Sequence, residues 1–260
     1  YKDSDGNENN FSGYVSSDIT GNRIYAKWSA QSFNFKFTVK DDGTICIDGL
    51  LDVNTIIVNI PASIDGKPVT EISDVAFQSR IKIQTVTIPA SVTKIGRKAF
   101  LGAYKISSVT VDSANPNYKS IDNVIYSKNG SELVYFPAYQ SWNSSSFSIP
   151  SGVTRIGDYA FYNTSTIGAD SSLSTITFPE GLVEIGDYAF YEQLAINSLS
   201  FPSSLKKIGS HAFTQFDSTV QLRITWNEGL EEIGESAFSG VYFKGDLVLP
   251  SSVRILGDYS

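Results

Sequence analysis

The chain predicts a mostly β solenoid with short helical turns and an N-terminal β cap. Three observations point there. The phrase apolar-Pro-x-x-apolar-x-x-Ile-Gly-x-x-Ala-Phe recurs seven times, and self-similarity at a fixed short period marks stacked coils. The residues ahead of each proline alternate apolar with Ser or Thr, as in Thr85-Val86-Thr87-Ile88. Each such run is a strand with one buried face and one wet face. Finally, Phe33-Asn34-Phe35-Lys36-Phe37-Thr38-Val39 alternates at period two, ahead of Asp41-Asp42-Gly43 and Thr44-Ile45-Cys46-Ile47. That is a hairpin pattern, and an end coil needs such a cover.

In chain order, residues 1–20 read as a polar tether. Their start, Lys2-Asp3-Ser4-Asp5-Gly6-Asn7-Glu8-Asn9-Asn10, has too little apolar surface to fold alone. Residues 21–59 form the β cap and 60–260 the repeats. Clean copies run from Ile88-Pro89 to Ala99-Phe100, Ile149-Pro150 to Ala160-Phe161, Phe178-Pro179 to Ala189-Phe190 and Phe201-Pro202 to Ala212-Phe213. A looser copy runs from Trp226 to Ala237-Phe238, with Asn227 in the proline slot, and an earlier one from Ile60-Pro61 to Ala76-Phe77. The last, from Leu249-Pro250, is incomplete at Ser260. Its Val253, Ile255 and Leu256 should leave a partly open apolar end.

Each slot has a physical reading. Proline ends the strand because it cannot donate to a ladder. Gly-x-x-Ala-Phe should turn into a single helical turn. Asp158, Asp187, Glu235 and Asp258 share the position after glycine, where an acid can accept from free backbone N–H groups. Ala must be small, and Phe77, Phe100, Phe161, Phe190, Phe213 and Phe238 should stack into a spine. Successive spine spacings are 23, 61, 29, 23 and 25 residues. The long one holds a different object, spanning about residues 101–148. Asn123 to Ser127 and Ser131 to Phe136 flank Lys128-Asn129-Gly130, a strong hairpin signal.

Composition narrows the function. The net charge is −7, which argues against a nucleic-acid binder, since that needs a basic stripe. No apolar run is long enough for a transmembrane helix. One cysteine, Cys46, rules out an intrachain disulfide or a multi-cysteine metal site, and a packed thiol is its reading. The chain contains no Met, so a signal or lipid anchor is expected upstream. No phosphate-cradling Gly-rich loop occurs. The one histidine, His211, shares its slot with Lys98, Tyr159, Tyr188 and Ser236, a variable and solvated position. Catalysis through a Ser-His-Asp or Cys-His arrangement would need it, so the chain reads as no enzyme, with no catalytic residue, cofactor or metal. Glu180, Glu184 and Asp187 recur in register with Glu228, Glu231, Glu232 and Glu235, which reads as an acidic ridge.

The units resemble the BspA-type leucine-rich repeats of bacterial surface proteins. The resemblance rests on Ile-Pro-x-x-Val-x-x-Ile-Gly-x-x-Ala-Phe and on the insertion from Asn115-Pro116-Asn117-Tyr118 to Val134-Tyr135-Phe136-Pro137. It also rests on the entry unit Ile64-Asp65-Gly66-Lys67-Pro68-Val69-Thr70-Glu71-Ile72, and it covers residues 44–260. It implies a right-handed, curved leucine-rich-repeat solenoid with a β-sheet on its concave side. It also implies export to the cell surface, and partners such as the host proteins fibronectin and fibrinogen.

Three functions remain open. The first is a protein-binding or adhesion module. It would use the wet strand face of Thr85, Thr87, Ser108, Thr110, Thr175, Thr177, Ser198, Ser200, Arg223 and Thr225, because coils align like positions into rows. The second is carbohydrate binding at an aromatic patch of Tyr126, Tyr135, Tyr139 and Trp142, joined by Tyr104, since aromatic rings suit sugar stacking. The third is a purely structural spacer.

Overall fold

The computed structural model describes residues 34–137, 145–162, 173–192, 195–214 and 221–260. The proposed tether lies outside them, as do residues 21–33 of the expected cap. The described residues are all β, a solenoid of about eight turns with no helix. No helix long and apolar enough to cross a membrane occurs among them.

The cap forms as its alternation dictates. Phe35–Val39 pairs antiparallel with Ile45–Leu50, with a bulge between Lys36 and Phe37. Ile45–Leu50 then pairs parallel with Lys67–Ile72, which in turn pairs with the next coil. Phe35, Ile45, Ile47 and Leu50 are buried against the first coils, so the hairpin covers apolar surface that an end coil would expose. Cys46 is buried here, and burial pushes its thiol up to about 11. It is an inert packed group at neutral pH.

Three inter-coil ladders hold the coils together. One uses the residues before each glycine. Ile72 pairs with Ile95, and Leu133, Ile156, Ile185, Ile208, Ile233 and Leu256 pair in unbroken parallel sequence. The second uses the Ser/Thr strands, in three separate runs. Ile57–Asn59, Thr85–Ile88 and Ser108–Val111 form the first, Ser146–Ser148 and Thr175–Thr177 the second, and Ser198–Ser200, Gln221–Thr225 and Tyr242–Phe243 the third.

The third ladder replaces the expected helical turns. The Gly-x-x-Ala segment is a hydrogen-bonded turn, Ala160 N–H donating to the Gly157 carbonyl at 3.2 Å. In the C-terminal coils the residue before Ala is left-handed, with φ of 60° at Tyr159, 56° at Tyr188 and 55° at His211. That aims its N–H at the next coil instead of back along its own chain. Tyr159 donates to the Asp187 carbonyl, Tyr188 to Ser210 and His211 to Glu235. The Phe N–H follows suit, Phe161 donating to the Ala189 carbonyl and Phe190 to Ala212, each at 2.8 Å. A helix would spend these donors within one coil, and here neighbouring coils offer better-placed acceptors.

Glycine is required where these turns stack. A Cβ at Gly209 would stand 2.6 Å from the Gly186 carbonyl carbon and 2.7 Å from the Asp187 nitrogen. The acid slot caps the following coil: Asp74 Oδ1 accepts from Arg97 N–H at 2.9 Å and Asp187 Oδ1 from Ser210 N–H at 2.8 Å.

The spine forms, with one addition. Phe161, Phe190, Phe213 and Phe238 stack at centroid separations of 4.7, 5.1 and 5.1 Å. Phe77 stacks on Phe100 at 5.6 Å. Between the two groups the inserted hairpin supplies Phe136, 4.7 Å from Phe161, and Tyr135, 4.7 Å from Phe100. The hairpin is also a partition. Val124 and Tyr126 belong to the C-terminal core and Ile125, between them, to the N-terminal one. Opposite faces of one strand thus serve two cores, as period-two geometry allows.

Ile255 and Leu256 are 57% and 56% exposed and Val253 is half-buried.

Candidate functional site

The Ser/Thr strands carry their apolar residues inward and their polar ones outward. Val86, Val109, Ile176, Leu199 and Leu222 are buried. Register aligns Thr85 with Ser108 and Thr87 with Thr110 in the first run. Thr175 and Thr177 align with Ser146 and Ser148 in the second, and Ser198 and Ser200 with Arg223 and Thr225 in the third. Thr110, Thr175, Thr177, Ser198, Ser200, Arg223 and Thr225 are exposed, whereas Thr85, Thr87 and Ser108 are half-buried. The inserted hairpin explains the last: Ser108 Oγ donates to Asn123 Oδ1 at 3.1 Å, and Ser120 Oγ accepts from Val111 N–H. Polar rows exist, but as three patches.

The aromatic patch is not brought together. Tyr126 is 2% exposed and packs in the core. Tyr135 lays its ring against Phe100, and burial raises both phenols well above the usual tyrosine range. Tyr104 is half-buried. Tyr139 and Trp142 lie outside the described residues.

A different set of rings lines up instead. Tyr159, Tyr188 and His211 stack face to face at 4.9 and 4.6 Å, with Lys98 Nζ 5.1 Å from the Tyr159 centroid. Tyr162 and Tyr191 form a second row at 5.0 Å. The slot that looked variable is a stacking column, and His211 is one rung of it, its Nδ1 3.5 Å from Thr214 Oγ1. Tyrosine at both Tyr159 and Tyr188, and again three residues on, was the signal in the sequence. Because the rings use their faces on one another, they present edges and hydroxyls outward, a poor platform for a sugar.

The acidic ridge is corrected to a charge-paired ladder. In register run Glu132, Arg155, Glu184, Lys207 and Glu232, acid and base alternating. Arg155 pairs with Glu132, and its Nε lies 3.4 Å from Glu184. Lys207 lies 2.7 Å from Glu232, and that hydrogen bond raises its pKa. Lys206 lies 3.3 Å from Glu231. Glu180 and Glu228 accept from Ser203 and Ser251 of the next coil. Strand spacing near 4.8 Å turns like slots into contacts, so alternating charge removes repulsion that a one-sign row would carry.

Where the inserted hairpin joins the solenoid, one turn is missing. Leu133 takes the isoleucine slot, pairing with Ile156, and Phe136 takes the spine slot, donating to the Ala160 carbonyl. Ile156 and Phe161 are five positions apart, Leu133 and Phe136 only three. Val134 stands alone where other coils have Gly-x-x. The result is a cleft of about 320 Å³ between the turns of Arg97 and Asp158, floored by Val134 and Tyr135 and flanked by Tyr118 and Tyr162. Tyr118 Oη accepts from Ile95 N–H at 3.1 Å, standing in for the absent ladder partner. Arg155, Glu132 and Asp158 form its charged wall, Arg155 Nη2 lying 2.6 Å from Asp158 Oδ1.

Comparison with solved structures finds a leucine-rich repeat protein from Eubacterium ventriosum ATCC 27560. It is 17% identical over 86% of this chain and 83% of that one, with a TM-score of 0.57. The pneumococcal vaccine antigen PcpA is 20% identical over 78% of this chain and 63% of its own, at TM-score 0.48. A leucine-rich repeat protein of T. pallidum is 23% identical over 86% and 83%, at 0.42. At such identities the first of these shows a shared fold and nothing further. A search of curated proteins finds no match. The model of the BspA-type leucine-rich repeat region matches in six copies over residues 54–167 and 132–260. With the phrase, the spine and the ladders all repeating across that span, the chain belongs to the BspA-type leucine-rich repeat family.

Proposed function

We propose that the protein is a non-enzymatic module of the bacterial cell surface that binds a protein partner through its Ser/Thr strand face. On the family fold this is the concave side. The observation that carries the reading is the in-register exposure of Thr110, Thr175, Thr177, Ser198, Ser200, Arg223 and Thr225. None of these residues is needed for the frame, while the buried residues between them are. A face free to vary on a rigid array is what solenoids use for recognition. Host matrix or plasma proteins are the partner class the family suggests, and an upstream anchor would hold the module at the surface. The carbohydrate alternative gains nothing from Tyr126 and Tyr135, whose rings are engaged in packing.

The test is surface capture of purified fibronectin and fibrinogen by the full chain, against a variant carrying Thr110→Lys, Thr177→Lys and Ser200→Lys. Capture by the parent and its loss in a variant with an unchanged melting profile is the expected result. Equal capture by both, or capture of neither protein, overturns the proposal in this form.

A further inference from the structure

We propose that the cleft beside Arg97 and Asp158 docks a short acidic turn of a partner protein, supplying the Gly-Asp-x segment that the inserted coil lacks. This site is separate from the strand face and does not depend on it.

At an intact junction the turn of one coil meets the next through three bonds. Phe161 N–H donates to the Ala189 carbonyl at 2.8 Å, and Tyr159 N–H to the Asp187 carbonyl at 3.0 Å. Asp187 N–H donates to Asp158 Oδ1 at 3.3 Å. At the cleft the same three kinds of group are stranded. Phe100 N–H, Asp158 N–H and the Asp158 carbonyl have no partner among the described residues. Phe100 and Asp158 are buried and both line the cleft. Backbone groups facing a cleft take their partner from water or from a segment that enters it, and a segment offering the matching groups would complete the ladder interrupted here.

The occupant's chemistry follows from the same comparison. An acid in the ligand would cap Asp158 N–H, as Asp158 itself caps Asp187 and Asp187 caps Ser210. The residue after it would donate to the Asp158 carbonyl. A ligand carbonyl would accept from Phe100 N–H. Glycine ahead of the acid suits the wall, since the equivalent position in intact coils has no room for a Cβ, as at Gly209. The charged lining is mixed, Arg97 and Arg155 standing with Glu132 and Asp158, so the cations left for an incoming acid are the exposed Arg97 and, beside the cleft, Lys98. Arg97 is 73% exposed with one amino group on Asp158. Lys98, over the Tyr159 ring, has no carboxylate partner among the described residues. Addition of a backbone segment to a ready ladder is an established recognition mode, and the cleft volume sits at the lower end of ligand sites.

Titration of the isotope-labelled full chain with acetyl-Gly-Asp-Tyr-amide tests this, followed at the amide resonances of Phe100 and Asp158. Saturable shifts at both amides are expected in the millimolar range. Acetyl-Gly-Asn-Tyr-amide, and the Lys98→Glu chain with the parent peptide, should each bind about tenfold more weakly, the size of a lost charge-assisted contact. Absence of shifts at these two amides, or equal binding of the Asp and Asn peptides, overturns the proposal. Replacing Val134 by Gly-Asp-Tyr restores the missing turn in cis. It should abolish the titration, and persistent binding in that folded variant would overturn it equally. Lysine substitutions on the strand face should leave the titration unchanged, which separates this site from the one above.

Discussion

Arg97 reaches across the gap left by the inserted hairpin and places Nη1 2.6 Å from Oδ2 of Asp158, 61 residues further along the chain. Asp158 is the hub of that junction. Its Oδ1 also accepts from Arg155 Nη2 and from Asp187 N–H. The two halves of the solenoid thus share one buried carboxylate where their backbone ladder is interrupted.

Unequal costs for the two residues follow. Arg97→Ala removes one mostly exposed partner and leaves Asp158 satisfied by Arg155, so a loss of about 1 kcal/mol is expected. Asp158→Ala leaves Arg155 to Glu132 and Glu184 but removes the buried acceptor shared by Arg97, Arg155 and the Asp187 N–H, and about 3 kcal/mol is expected. Urea denaturation of both variants and of the double variant checks this. If the Arg97 substitution costs as much as the Asp158 one, the hub is misassigned.

The partition of the core between Ile125 and Tyr126 gives a second expectation. Ile125→Ala should lose about 2–5 kcal/mol and Tyr126→Ala a comparable amount, but in different places. Hydrogen exchange should rise first in the Ile72 and Ile95 strands for the former, and in the Ile156 and Ile185 strands for the latter. An identical exchange pattern in both variants would mean a single core.

Stability should fall in acid, partly through Glu71. The Lys94 hydrogen bond holds the Glu71 carboxyl below its ordinary 4.5, with Lys94 and Lys40 adding attraction. A depressed folded value means the contribution is fully present above 4.5 and lost as pH falls through the lowered value. Lys94, raised by the same bond, behaves inversely and loses its share only in strong alkali. Melting temperature should drop between about pH 7 and about pH 3, and less so in Glu71→Gln. An equal drop in parent and variant would remove Glu71 from the account.

The family-level architecture was legible because repetition acts as an internal control. One copy of Ile-Pro-x-x-Val-x-x-Ile-Gly-x-x-Ala-Phe says little. Seven copies separate the frame from what rides on it, and the stack of Phe161, Phe190, Phe213 and Phe238 follows from spacing alone. The cap hairpin was legible from alternation, and the acid slot from its chemistry. The helical turn was not. Local propensity suggests one, but the N–H groups of Tyr159 and Phe161 find acceptors in the next coil, which no single repeat can reveal.

What the sequence determined by itself is everything fixed by period: the coils, the buried Ile and Phe columns, the tight glycine, the wet Ser and Thr positions. What only the tertiary structure decided is everything that depends on how one coil meets the next. Ser108 lies half-buried because the hairpin folds over it. Tyr159, Tyr188 and His211 become a column because like slots lie about one strand spacing apart. Val134, one residue where three are usual, opens a cleft only because the turns of Arg97 and Asp158 are intact on either side. Periodicity is written along the chain, whereas a gap exists only between neighbours in space, and those neighbours are 61 residues apart.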